Sequence, residues 1–305
     1  MDNYLSMQVS LDMRIIMVGA PIAMLALALF PHLGHQSISG TQPSNQLLQS
    51  THNPLLNLHN FTVYYGDDVN GDVLRVLNEY QLVILQPWAF TPGNLTLIKS
   101  IKIAYIDLGE YDNSTWSQCQ VNLTGIIIGY DEDWGQPIVN VSSQQWINYT
   151  LCRVRAALAV GFNGVLFDDV DDAIDYYPGE ASGVIKIMKL VSEMYPNALI
   201  GVNRGFELAR NLSPYIQFIL YEDYGTYYNF TTNEYQYLEP SQVNNVINTT
   251  IYLKSLGLEV LALGYSPLPC DSYSGFVASL AIKEGIPYYV GDIYLTRLST
   301  TCMVE

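Results

Sequence analysis

Carboxylates recur at one kind of place in this 305-residue chain, immediately after short continuous apolar runs. Asp67 and Asp68 follow FTVYYG, Asp107 and Glu110 follow IAYI, and Asp168, Asp169, Asp171 and Asp172 follow VLF. Asn203 and Arg204 follow LIGV, Glu222 and Asp223 follow FILY, and the last two runs lead into Tyr265 and Asp292. Tyrosines accompany the acids, and Arg204 is almost the only base among them. One carboxylic acid can protonate a glycosidic leaving oxygen while a second carboxylate serves as nucleophile or base. Other chemistries lack their parts. The four histidines (His32, His35, His52, His59) precede these segments, and no CxxC pair occurs. That removes the thiolate–imidazole zinc sites and the Ser-His-Asp and Cys-His sets, an acyl hydrolase included. Neither a metal nor a cofactor is expected.

The elements that must position these residues are legible in the same runs. Phe61–Tyr65, Leu82–Leu85, Ile103–Ile106, Val165–Phe167, Leu199–Val202, Phe218–Tyr221, Val260–Leu263 and Tyr288–Val290 are continuous rather than alternating. Strands buried on both faces of a parallel sheet read that way. Helical stretches lie between them: residues 142–160 with Ser142 as cap, 183–195, and 241–256 closed by Gly257. Eight strands alternating with helices, without a Gly-rich phosphate turn, predict an α/β fold of the (β/α)8 TIM-barrel type. Catalytic side chains then project from the C-terminal strand ends, where the acids are.

Composition bounds the rest. Acidic residues outnumber basic ones 29 to 13, for a net charge of −16, so a nucleic-acid partner is excluded for lack of clustered Lys and Arg. An uncharged stretch, Ile15–Phe30, predicts a signal peptide or N-terminal membrane anchor within residues 1–35. Residues 36–57 read as a polar linker and 58–305 as a single domain. Nine Asn-x-Ser/Thr sequons start at Asn60, Asn94, Asn113, Asn122, Asn140, Asn148, Asn211, Asn229 and Asn248, where chance predicts about 2 to 3. A glycosylated extracellular or cell-surface protein is expected, with possible membrane attachment through the N-terminal segment. Four cysteines in an oxidising compartment suggest Cys119–Cys152 and Cys270–Cys302, on sequence proximity alone.

Several segments resemble the motifs of glycoside hydrolase family 114, the endo-alpha-1,4-polygalactosaminidase family. They are Tyr64–Gly66 (YYG), Ala104–Glu110 (AYIDLGE), Gly161–Asp168 (GFNGVLFD), Asn203–Glu207 (NRGFE) and Tyr221–Glu222. The match runs over about residues 60 to 292 in the family's order. The resemblance implies a TIM-type barrel and an endo-acting hydrolase of galactosamine-containing polysaccharide. It also implies that Asp168 and Glu222 are the catalytic pair. Two positions depart: the family commonly has Asp at Asn163, and a small residue at Asp107, so an extra carboxylate stands near the site. The long loop from Glu110 to Ser142 is only loosely family-like and is expected to wall one side of the cleft.

The expected roles follow. Asp168 is the nucleophile and Glu222 the acid/base of a retaining reaction. Asp107, Glu110 and Asn203 hydrogen-bond substrate or orient it; Tyr65, Tyr105 and Tyr265 either stack on sugar rings or, as the default for a lone Tyr, pack in the barrel with the hydroxyl satisfied. Arg204 fixes a carboxylate with its planar fork, and Asp169 points away from the axis into a salt bridge. The Asp168–Asp172 run lacks the Gly and terminal Glu of an EF-hand loop, which disfavours calcium there. Trp146 is expected in the core, and Tyr221–Tyr237 in a cleft wall. The partner is a polysaccharide or oligosaccharide, drawn in by acidic charge if it carries ammonium groups. The competing class is a non-catalytic carbohydrate-binding or cell-envelope barrel derived from such an enzyme.

Overall fold

Eight parallel strands curl into a nearly closed barrel in the computed structural model, which describes residues 55, 57–112 and 118–298. They are β1 (Phe61–Tyr64), β2 (Leu82–Leu85), β3 (Ile101–Asp107) and β4 (Gly164–Asp168), then β5 (Leu199–Asn203), β6 (Phe218–Tyr221), β7 (Glu259–Tyr265) and β8 (Tyr288–Gly291). Each strand pairs in parallel with the next. The last seam is closed differently. The Tyr65 N–H donates to the Leu295 carbonyl at 2.8 Å, and the Phe61 and Tyr289 rings pack 6.3 Å apart across β1 and β8. The expected signal or anchor (1–35), most of the expected linker (36–57), and Asn113, Trp116 and Cys302 lie outside the described residues. Among the described residues no helix is long and apolar enough to cross a membrane.

The continuous apolar runs become strands because both faces are covered. All four residues of β1, β2 and β6 are buried, the inner face filling the barrel and the outer face packing under helices. The four longest covering helices are Gln144–Val160, Ala181–Met194, Pro240–Ser255 and Ser272–Glu284. In the first, Trp146 and Val154 of the helically spaced Trp146, Leu151, Val154 and Leu158 are buried with Ile147 and Ala157, while Leu151 and Leu158 are half-buried at the edge of the stripe. Its start differs by one residue from the expectation. Ser143, not Ser142, is the cap residue, because the Ser142 N–H donates to the Glu180 carboxylate at 2.8 Å.

Two rim loops, expected as cleft walls, are built as hairpins. The loop after β3 pairs Ile127–Tyr130 with Pro137–Val139, and the loop after β6 pairs Thr226–Asn229 with Glu234–Tyr237. Neither was read as strand, since both are half-exposed and rich in polar residues and tyrosine rather than continuously apolar. Trp134 of the first hairpin meets Phe230 of the second at 5.0 Å and Tyr294, beyond β8, at 6.5 Å. The Cys119–Cys152 disulfide ties the β3 loop to helix Gln144–Val160, with Cα atoms 5.7 Å apart. Cys270 is also disulfide-bonded.

Candidate active site

All eight strands run the same way, so their C-terminal ends share one rim, and the acids of the sequence collect there. Register sets the first juxtaposition. Asp107 at the end of β3 lies directly opposite Asp168 at the end of β4. From β5, the amide nitrogen of Asn203 donates to Asp168 Oδ1 at 2.6 Å and to Glu222 Oε2 at 2.5 Å. From β7, the Tyr265 hydroxyl donates to the other Glu222 oxygen, Oε1. The Asp169 N–H donates to Asp168 Oδ1 at 3.0 Å. Side chains from four strand ends thus converge on two carboxylates.

The turns leaving these strands are sharp. Asp169, Arg204 and Asp223 have φ of 55°, 53° and 57°, left-handed conformations that cost non-glycine residues energy and persist where surrounding structure holds them. Arg204 lies between Asp171 (Nε–Oδ2 2.6 Å) and Asp223 (Nη1–Oδ2 3.3 Å). It therefore fixes carboxylates, as its fork suggests, but not Glu222.

Burial and crowding of like charges decide the protonation of this rim. Burial and then the Glu222 charge raise Asp168 to about 8, while the hydrogen bonds from Asn203 and the Asp169 backbone act the other way. Burial raises Asp107 to about 7. Burial and then the Asp107 charge raise Glu110 to about 9. Asp169 is pushed well above the usual carboxylate range by burial, then by Asp168 and Asp107. Groups this close titrate together rather than one by one.

The barrel and its rim acids fit glycoside cleavage, and a sequence-family comparison decides the family. Residues 94–301 match the model of glycoside-hydrolase family GH114. The chain belongs to GH114. It is therefore a glycosidase. Among solved structures, this GH114 chain resembles the glycoside hydrolase domain of PelA from Pseudomonas aeruginosa at 18% identity and a TM-score of 0.70. That likeness covers 79% of this chain and 98% of that one. It also resembles Ega3 from Aspergillus fumigatus, solved in complex with galactosamine, at 16% identity and a TM-score of 0.60, covering 80% and 94%. At such identities the structural likeness shows the fold alone. No curated protein sequence matches the chain.

The GH114 site changes several roles expected from sequence. Asp107 and Glu110 are each only 1% exposed. Asp107 Oδ1 accepts the Glu110 N–H at 2.8 Å. Tyr265 is buried as well, and its hydroxyl donates to Glu222. Tyr65 and Tyr105 remain half-buried with rings 4.6 Å apart. The field of Asp168 helps to raise both phenols, after burial itself. Asp169 has no ion pair among the described residues; its side chain meets Asp107. Trp146 is core, its indole N–H donating to the Leu108 carbonyl at 2.9 Å. Sequence reasoning missed Asp131 and the partnership of Asp172, which come within 4.8 Å of a Glu110 oxygen. Asp131 sits in a hairpin whose fold no local signal announced.

Proposed function

We propose that this GH114 glycosidase is a retaining, endo-acting enzyme of galactosamine-containing polysaccharide, with Asp168 as nucleophile and Glu222 as acid/base. The observation that carries it is the Asn203 bridge. One amide nitrogen holds both carboxylates at 2.6 and 2.5 Å, so the two nearest oxygens lie no farther apart than those lengths combined. Such proximity supports the retaining arrangement, whose carboxyl groups stand about 5–5.5 Å apart.

The reading assigns each contact a task. Once Glu222 holds the proton, its charge no longer raises Asp168, and the Asn203 amide and Asp169 N–H stabilise the Asp168 carboxylate that attacks the anomeric carbon. Glu222 gives its proton to the departing glycosidic oxygen, then takes one from the water that releases the glycosyl-enzyme. The Tyr265 hydroxyl holds Glu222 and can donate to it or accept from it, so the contact survives both protonation states. Half-buried Tyr65 and Tyr105, whose phenols feel the Asp168 charge, offer aromatic surface to a sugar.

Substrate class rests on charge and on the GH114 relatives, one of which is described with galactosamine bound. The net charge of −16 favours a polymer carrying ammonium groups over a neutral acetylated or an anionic one. Export is supported by the Cys119–Cys152 disulfide and by the exposure of Asn122, Asn148, Asn211 and Asn248 within their sequons.

The test is direct. Asp168→Asn and Glu222→Gln should each abolish cleavage of de-acetylated polygalactosamine without lowering the melting temperature. Proton NMR of the first product should show the α-anomer retained. Full activity in either variant removes that residue from the mechanism, and an inverted product removes the nucleophile role of Asp168.

A further inference from the structure

We propose that Asp107, Glu110 and Asp169 form a binding site for a hard divalent cation, calcium, at the roots of the β3 and β4 loops. One carboxylate oxygen from each residue lies within 4.8 Å of the others. A group of acids alone would mean little, since exposed ones repel weakly and are solvated by water. Here Asp107 and Glu110 are almost wholly buried, and Asp107 Oδ2 and Glu110 Oε1 accept no hydrogen bond at all. None of the three forms an ion pair among the described residues. The side-chain hydrogen bond between Asp107 and Asp169 needs a shared proton, since ionised carboxylates only accept, and a divalent cation can take that proton's place. Buried charge persists where it is paired or coordinates a metal.

The donor set selects the ion. Oxygen ligands without His or Cys suit calcium, magnesium or manganese rather than zinc or copper. Calcium–oxygen bonds of about 2.3–2.6 Å let ligands on opposite sides of the ion stand nearly 5 Å apart, whereas magnesium's about 2.0–2.1 Å demands a tighter, regular octahedron. Glu110 also lies within 4.8 Å of Asp131 and Asp172, which adds negative charge beside the same carboxylate. This is not the consecutive Asp168–Asp172 loop that the sequence makes improbable; the ligands come from two neighbouring strand ends.

The backbone that carries them is already tied down. Leu108 N–H and Gly109 N–H both donate to the Asp168 carbonyl, at 3.0 and 3.3 Å, and Glu110 bridges to Ile138 of the hairpin. An ion joining Asp107 to Asp169 would brace the peptide whose N–H donates to Asp168 Oδ1. Its ligands would thus be positioning residues. The site stands whether or not Asp168 is the nucleophile.

Isothermal titration of the EDTA-treated full-length protein with calcium chloride, at constant ionic strength, tests this. One saturable ion per chain is expected, with a rise in melting temperature that sodium chloride does not reproduce. Asp107→Asn and Glu110→Gln should each weaken binding at least tenfold, while the exposed pair Asp67→Asn and Asp68→Asn should leave it unchanged. Absence of saturable binding up to about 10 mM calcium would overturn the proposal, as would undiminished binding in both buried variants. Should those variants not fold, metal content of the wild-type protein after dialysis against calcium and then buffer decides. One ion per chain supports the site, and none removes it.

Discussion

Gly109 approaches Asp169 so closely that a Cβ on it would stand 1.9 Å from the Asp169 carbonyl oxygen. The β3 loop therefore rests directly on the backbone that leaves β4, with nothing but hydrogen on the intervening carbon. Gly109→Ala should force these two loops apart. Overpacking of this kind costs about 1–3 kcal/mol, and the Asp169 turn should shift with it. The expected outcome is a lower melting temperature together with a larger loss in kcat than in substrate affinity. A variant as stable and active as the parent would show that the contact is readily relieved.

Asn203 donates hydrogen bonds to both proposed catalytic carboxylates. Asn203→Ala removes the donor that holds them and leaves the two carboxyl groups without their shared partner. Misplacement of reacting groups by about 1 Å costs about 100-fold, so kcat/KM should fall about 10²-fold or more. Circular dichroism should remain that of the parent. Steady-state kinetics on a de-acetylated oligomer would measure it.

Arg204 neutralises Asp171 and Asp223 from a side chain that is 41% exposed. Because water screens a pair that open, Arg204→Ala should cost only about 1 kcal/mol, far less than the about 3–5 kcal/mol of breaking a fully buried pair. Urea denaturation would report the difference, and it should shrink further at high salt.

The Cys119–Cys152 bridge closes a loop across a sequence separation of 33 residues and anchors the wall after β3. Removing such a constraint costs about 2–4 kcal/mol. Cys119→Ser with Cys152→Ser should melt at lower temperature in oxidising buffer. The double variant avoids reducing the second disulfide at Cys270, which a thiol reagent would also attack.

Substrate charge gives the last outcome. Cleavage of a cationic de-acetylated polymer should slow as ionic strength rises past about 0.15 M, where the field of the rim reaches only about 8 Å. A neutral acetylated polymer should be cut more slowly and show no such dependence. Equal rates with equal salt response would remove charge as the selector.

The barrel itself was legible because burial on both faces demands continuous apolar runs. Leu82–Leu85 and Phe218–Tyr221 begin and end as strands where their runs do, and the other six differ by a residue or so at one or both ends. Asp168, Asn203 and Glu222 were legible for the same reason: in a parallel barrel every strand delivers its last residues to one rim. What no local pattern could carry is contact between strand ends and loops. Asp169 was expected to turn outward by alternation, but its left-handed backbone ends the alternation and turns the side chain to Asp107. By residue type Tyr265 fits either a sugar platform or barrel packing, and only closure of the barrel buries it and brings its hydroxyl to Glu222. Asp131 joins Glu110 through a hairpin that the long, half-polar loop did not announce. Strand order and chemical type are properties of the chain, because solvation acts on each segment by itself. Which buried acids face each other depends on register and turns, which only the closed barrel decides.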